Sequence, residues 1–459
     1  MIDSFQSLTA QFSELAWGPW LLVLLLGGGA YFVVASRFAP FRHLGHAWAL
    51  LRGRHTDPND PGQISHFQAL SSALSGTIGM GNIAGVALAI VVAGPGAIFW
   101  MWATAVLGIA TKFFTCTLAV MYRGKDSAGE LQGGPMYVIR EGLGPRWHWL
   151  AMCFAVAGLI GCLPAFQTNQ LVQILRDVLF IDNGWLSVDA DPFVFNLAAG
   201  ALLATVTAAV IFGGITRIAQ VAATVVPFMA GLYVLATLTA LVSNASAVPA
   251  AFALILSDAF SGDAVAGGAL LTVVLYGVQR GAYSNEAGIG TEAIAHGAAR
   301  TSEPVREGLV AMTGPIIDTL IICTATALMI LVSGVWQTDG ANGVTLTAAA
   351  FTKLLGTPGT IAIFVCVVCF SLTTILTYSF YGTQCAGFAF GADRKHHYRW
   401  LYVGFILVAA VISLEAAIGV IDGMFALMAI PTMVSTLLLS PRVIAAARAY
   451  FAKLKQEPT

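Results

Sequence analysis

Ser75-Gly76-Thr77-Ile78-Gly79-Met80-Gly81-Asn82 interrupts the apolar run 67–92, and Tyr276-Gly277-Val278-Gln279-Arg280-Gly281-Ala282-Tyr283-Ser284-Asn285-Glu286-Ala287-Gly288 interrupts the run 264–290. Each glycine in a helix interior costs about 1 kcal/mol relative to alanine, so three within six residues predict unwound backbone. At membrane depth such backbone is tolerated only where it lines a cavity or is buried in protein. The alternative reading, in which the glycines serve close helix packing, leaves the neighbouring polar Asn82, Arg280, Asn285 and Glu286 without a reason.

The rest of the chain is what a membrane requires. Of 459 residues, 58% are hydrophobic and 10% charged, and the mean hydropathy is +0.81. A water-soluble globule carries about 25% charged residues. The formal net charge of -1 offers no basic surface for nucleic acid. A spanning helix takes about 20 mostly apolar residues, and eleven such runs occur. They lie at 18–36, 67–92, 97–121, 149–175, 194–213, 219–242, 264–290, 307–333, 359–385, 400–419 and 422–440. Eighteen Lys and Arg fall on one side of these spans and two, Arg176 and Lys353, on the other. Basic residues are retained in the cytoplasm, which predicts an outer N-terminus and a cytoplasmic C-terminus. Lys112 and Arg280 fall inside spans. The segment 41–53 reads as a helix lying along the cytoplasmic membrane surface, and 346–356 as a short outer helix or equally a capping loop. No basic region precedes the first apolar run, so no signal peptide is expected.

Each interrupted span begins a set of five. The first set covers 66–243 and the second 262–440, 178 and 179 residues long. Five is odd, so the two halves enter the bilayer from opposite sides. An inverted repeat with discontinuous helices at matching places points to a transporter whose site lies at the breaks. The predicted architecture is therefore all-α, with a segment 1–65 holding one extra helix and a cytoplasmic interfacial helix. Two five-helix repeats and a cytoplasmic tail, 441–459, follow. All seven cysteines lie in apolar runs, including Cys366 and Cys369 of a C-x-x-C, so packing is favoured over disulfides or redox chemistry. No metalloenzyme His motif, nucleophile elbow or repeated filter loop occurs, which argues against an enzyme and a channel.

The runs ALSGTIGMGNIAGVALAIVVAGPGAIFWMW, GGPMY and GVQRGAYSNEAGIGTEAIAHGAA resemble the alanine or glycine:cation symporter family, from about residue 66 to the end of the ninth span. The resemblance implies a leucine-transporter-type core formed by spans two to eleven. It also implies a sodium-coupled carrier of small neutral amino acids with no organic cofactor. The substrate carboxylate would meet the N–H groups of Met80, Gly81 and Asn82 at the start of a half-helix, where the dipole favours an anion. Carbonyls of Ser75, Thr77 and Gly277 would receive the ammonium. Phe166, Gln167 and Tyr378 would line the pocket, although Gln167 equally suits a bond to a neighbouring helix. Sodium takes oxygen donors, and the family's position for them corresponds to the carbonyls of Ser75 and Ile78 with the hydroxyls of Thr373 and Thr374. Those hydroxyls otherwise bond their own helix.

Departures from the family pattern bear on the substrate. Met80 stands where the family often has threonine, Thr377-Tyr378 where it has Gly-Trp, and Thr291-Glu292 after Gly290 where it has small residues. Met80 narrows a pocket and Tyr378 widens it, which leaves alanine, glycine and another small amino acid open. Buried ionisable groups are costly and paired or functional. Arg280 and Glu286 are expected to pair with each other, Lys112 falls in the middle third of its span, and the carboxylates, Asp318 and Glu415 among them, keep proton coupling open. A prokaryotic inner membrane is the expected location.

Overall fold

The computed structural model describes residues 2–54, 57–260, 269–337 and 343–456. The expected start of the second repeat at 262, the residues 264–268 of its first span, His55 and the end of the tail at 457–459 lie outside them. Among the described residues the chain is helical apart from one small hairpin, Gly124–Lys125 against Leu131–Gln132.

In chain order the helices are α1 Ile2–Ala16, α2 Pro19–Ala35, α3 Leu44–Leu51, α4 His66–Thr77, α5 Gly81–Ala93, α6 Ala97–Met121, α7 Pro145–Ile181, α8 Pro192–Ile211 and α9 Gly214–Ser243. They continue with α10 Val248–Asp258, α11 Ala269–Asn285, α12 Glu292–Gly297, α13 Pro304–Ser333, α14 Gly343–Leu355, α15 Thr357–Phe390, α16 Lys395–Val411 and α17 Leu414–Leu454. Seven of these are long and apolar enough to cross a bilayer, and nine spans result when the bent pairs at α1–α2 and α4–α5 each count once. The expectation was eleven. The expected spans at 264–290 and 400–419 fall at α11 and α16, whose described residues, 17 in each, are too few to count as spans by that measure.

The third span matches its predicted limits residue for residue, because a mostly apolar run of 25 residues ends at the polar turn Tyr122–Gly124. Among the seven unbroken spans it is also the most enclosed: 83% of its most apolar stretch is buried, against 28% for α8 and α9, which present most of their surface outward. α6 packs against α11 and α13, and α9 against α15 and α4, so the breaks lie at the centre of the bundle.

Two further features differ from the sequence reading. Within the segment 441–459, expected as a tail, α17 runs on through Pro441 to Leu454. Its Ala-rich sequence favours helix, and its last turns are held by the surface segment before α4, where His43 stacks on Phe451 and His46 Nε2 lies 2.6 Å from Tyr450 Oη. The short α10 was not anticipated. Its Asp258 carboxylate accepts the Gly96 N–H at 2.7 Å and so caps α6.

Candidate functional site

The first break is built by local hydrogen-bond competition. α4 starts at a capping box, with Ser65 Oγ accepting from the Gln68 N–H at 3.2 Å and Gln68 Oε1 accepting from the Ser65 N–H at 2.9 Å. It stops when Ile78 turns to ψ 89°. The Gly79 N–H then donates to Asn82 Oδ1 at 2.9 Å. That leaves the Ser75 carbonyl for Thr374, whose hydroxyl donates to it at 2.9 Å. The chain bends by 49° and restarts at α5. Gly79 has no substitute here, because a Cβ would lie 2.5 Å from Thr374 Oγ1. Carbonyls loosened in the first turn of α5 are satisfied from other helices: Thr326 donates to Asn82 O at 2.7 Å and Thr347 to Ile83 O at 3.1 Å.

The second break lies later than the sequence suggested. Gly277 and Gly281 sit within continuous α11, so the Gly277 carbonyl is not an unwound acceptor. Their lack of a side chain serves packing instead. A Cβ on Gly277 would lie 2.6 Å from Ala97 O, and one on Gly281 would lie 3.1 Å from Met101 Cα. Unwinding occurs at 286–291, where Glu286, Gly288 and Gly290 hold φ of 55°, 89° and 96°. The left-handed region is easy for glycine and strained for glutamate. Glu286 is held there by its side chain, which accepts from Tyr378 Oη at 2.6 Å and from Thr291 Oγ1 at 2.5 Å. It does not pair with Arg280. That guanidinium pairs instead with Asp422 of α17, Nη2 to Oδ2 at 2.5 Å, because α17 lines the same face of α11.

The breaks meet through a carboxylate. Asp318 in α13 accepts from Asn82 Nδ2 at 2.6 Å and from Ser284 and Thr319 hydroxyls, each at 2.7 Å. Asn82 thus caps one break and bonds the helix leading into the other. Its own N–H donates to Gly79 O at 3.2 Å, so of the three N–H groups expected to meet a carboxylate, Met80 and Gly81 are the ones at the uncapped start of the half-helix.

Beside that half-helix stand Phe166, Gln167, Tyr283, Tyr378 and Phe425. A Cβ on Gly81 would touch the Tyr283 ring at 3.2 Å, Phe166 meets that ring edge-on at 5.9 Å, and Phe425 tilts against it at 5.2 Å. Gln167 Oε1 is buried and has no hydrogen-bond partner among the described residues. Ser75, Thr77, Ile78, Met80, Asn82, Phe166, Gln167, Thr373, Thr374 and Tyr378 are each 3% exposed or less, so the region is closed to both faces. Of the expected oxygen donors, the Ser75 carbonyl and Thr374 hydroxyl face each other. The Thr373 hydroxyl instead donates to Cys369 O at 2.8 Å, while Thr373 O receives Ser75 Oγ at 3.3 Å. Sequence reading missed Ser284, Thr319, Tyr283 and Phe425 as neighbours of the site. Their signal was only that Asp318 is an ionisable residue inside a span.

Two closures flank the breaks. On one side, the Arg280–Asp422 pair is backed by Gln279 Nε2 to Asp422 Oδ2 at 3.1 Å and by Trp17 Nε1 to Asp422 O at 2.7 Å. On the other, Glu307 binds both His66 and His296, the latter at 2.5 Å. There Arg123 also donates to the carbonyls of Gly297 at 2.7 Å, Thr301 and Pro61 at 3.1 Å, and Ala299.

The sequence model of the sodium:alanine symporter family matches residues 2–459. The chain is 40% identical over 455 residues to the sodium/alanine symporter AgcS of Methanococcus maripaludis, covering 97% of each. It is 33% identical over 439 residues to the "Probable sodium/glutamine symporter GlnT" of Bacillus subtilis, covering 95% of this chain and 89% of that one. Among solved structures it resembles MhsT in complex with L-phenylalanine, with a TM-score of 0.58 and 13% identity over 85% of this chain and 99% of that one. The likeness to MhsT shows a leucine-transporter-type fold.

Proposed function

The chain belongs to the sodium:alanine symporter family, and on that premise we propose that it couples inward sodium movement to uptake of alanine or glycine by alternating access. Amino acid:cation symport is the family's activity; the ion and the substrate are our reading. The observation that carries it is the first break, where the Ser75 carbonyl, relieved of its helical partner, faces the Thr374 hydroxyl at 2.9 Å. Sodium inserted between α4 and α15 would take these two oxygens, the Ile78 carbonyl, and the Thr373 hydroxyl once it turns from Cys369 O. The Met80 and Gly81 N–H groups would receive the substrate carboxylate, aided by the α5 dipole. Gln167 Oε1, buried without a partner among the described residues, supplies an acceptor for the ammonium, with the Thr77 carbonyl at the end of α4. Phe166, Tyr283 and Tyr378 leave little space beside them, which favours a small side chain.

Binding at this seam joins α4 to α15, and so ties the first repeat, 66–243, to the second, 262–440. Release on one side requires the Arg280–Asp422 closure to part, and on the other the Glu307 and Arg123 contacts. The distribution of Lys and Arg supports an outer place for the first and a cytoplasmic place for the second, with the N-terminus outside; the location we propose is a prokaryotic inner membrane. Sodium and substrate stabilise the same closed form, so each must tighten the other by one common factor.

A second reading is proton coupling. It is favoured by Asp318 and Glu286, both wholly buried beside the breaks. Proteoliposomes with radiolabelled alanine and glycine separate the two. Saturable accumulation driven by an inward sodium gradient at fixed membrane potential supports sodium symport. Accumulation driven by a proton gradient without sodium moves the coupling site to the carboxylates.

A further inference from the structure

Where α2 ends and α17 ends, the protein holds a cavity of about 610 Å³ that transport does not use. Its rim carries Arg37, Arg42, His43, Arg448 and Lys455, and no acidic residue lines it among the described residues. None of these cations forms an ion pair with a described carboxylate. Burial, and then the Lys455 and Arg42 charges, lower the His43 pKa below its ordinary value, so four permanent positive charges converge on one hollow. Between these charges the lining is apolar, a floor with Ala35, Ala39 and Ile444 at its surface and Phe113 and Phe114 fully buried behind them. Arg37 and Phe38 reach the rim through two successive left-handed residues, φ 54° and 60°. Backbone of this kind persists only where its surroundings over-determine it. Phe38 is 52% exposed between the lining residues Arg37 and Ala39, and Trp48, 49% exposed on α3, is the kind of aromatic residue expected at the headgroup level of a bilayer.

Charged rim, apolar floor and interfacial depth together match one ligand class. We propose that this cavity binds an anionic phospholipid of the leaflet that α3 lies against, its phosphate among Arg42, Arg448 and Lys455 and the start of an acyl chain against Ala35, Ala39 and Ile444. Basic pockets beside membrane helices on the cytoplasmic side recognise anionic headgroups in this way. A soluble phosphate shares the headgroup chemistry and lacks the acyl chain, so it would use the rim and ignore the floor. The inference stands apart from the transport reading, because its test measures binding.

The full-length protein in detergent is titrated with dioleoyl phosphatidylglycerol, dioleoyl phosphatidylcholine and inorganic phosphate, following the thermal midpoint and the lipid retained in native mass spectra. The wild type should be stabilised and should retain phosphatidylglycerol in preference to phosphatidylcholine. In Arg42→Ala/Arg448→Ala/Lys455→Ala the half-saturating phosphatidylglycerol concentration should rise about tenfold or more. In Arg52→Ala/Arg54→Ala/Arg146→Ala, which removes as much charge outside the cavity, it should stay within about twofold. Arg448→Glu alone, at an exposed position, should weaken binding in the same direction should the triple variant fail to fold. Equal losses in both triple variants, no preference over phosphatidylcholine, or equal protection by inorganic phosphate would each overturn the proposal.

Discussion

The two breaks carry similar glycine-rich sequences and use their glycines for different reasons. At 78–80 the backbone stays within ordinary dihedral space, and Gly79 is needed because α15 comes too close for a Cβ. At 286–291 the backbone enters the left-handed region three times, and Gly288 and Gly290 are needed for conformation. Gly277 and Gly281, just upstream, serve a third purpose as contact points for α6. The first break is a seam between two helices, held by a hydroxyl and a carbonyl. The second is a strained connection held by a carboxylate that accepts two hydroxyls. An ion suits the seam, where loosened oxygens face each other. Strain suits a connection that must adopt a new path when the bundle rearranges.

The largest effect expected from this contrast is on stability, from Gly290→Ala. It adds a Cβ 2.5 Å from Thr432 Oγ1 and 2.6 Å from Pro135 Cγ at a φ of 96°. Left-handed strain of order 1–3 kcal/mol and overpacking of similar size should combine, and a thermal-unfolding scan should show a poorly folded protein. Gly79→Ala adds the overpacking without the strain. It should fold, and its sodium-stimulated uptake should fall by about tenfold or more, since the new methyl occupies the seam itself. Wild-type uptake in Gly79→Ala would show that the seam is not the ion's place.

Glu286→Gln ranks next. The amide offers one acceptor where two hydroxyls now donate, which should cost about 1–3 kcal/mol in unfolding experiments. Sodium dependence and the pH profile of uptake should both survive; a lost pH dependence would favour the proton reading. The smallest effect is expected from Gly281→Ala. Its Cβ meets Met101 and Thr104 at 3.1 Å, so a modest loss of thermal stability should leave the sodium response unchanged. A changed sodium response there would return α11 to the list of unwound segments.

Much of this was legible in the sequence where a local rule decided it. The 97–121 helix needed only length and hydropathy, and the first break needed only its glycines and Asn82. The second break was misplaced because glycine looks the same in a sequence whether it packs, bends or turns left-handed. What tells these apart is the helix that lies opposite. Partners distant in sequence were also hidden: Asp422 is 142 residues from Arg280, nearer acidic residues were available, and only the packing of α17 on α11 selects it. Tyr378 was placed in the pocket from its family position, but its bond to Glu286 follows from the left-handed turn that nothing in the sequence marks. The continuation of α17 past Pro441 depended on stacking against His43, a contact between the two ends of the chain.

The central claim is that the seam between α4 and α15 holds the coupling ion. The direct test is the sodium activation curve of radiolabelled alanine and glycine uptake, in proteoliposomes at fixed membrane potential, for the wild type and Thr374→Ala. Removing one oxygen donor should raise the half-saturating sodium concentration roughly tenfold, while the KM for the amino acid at saturating sodium changes little. An unaltered sodium curve in Thr374→Ala, or wild-type uptake driven by protons alone, would contradict the account.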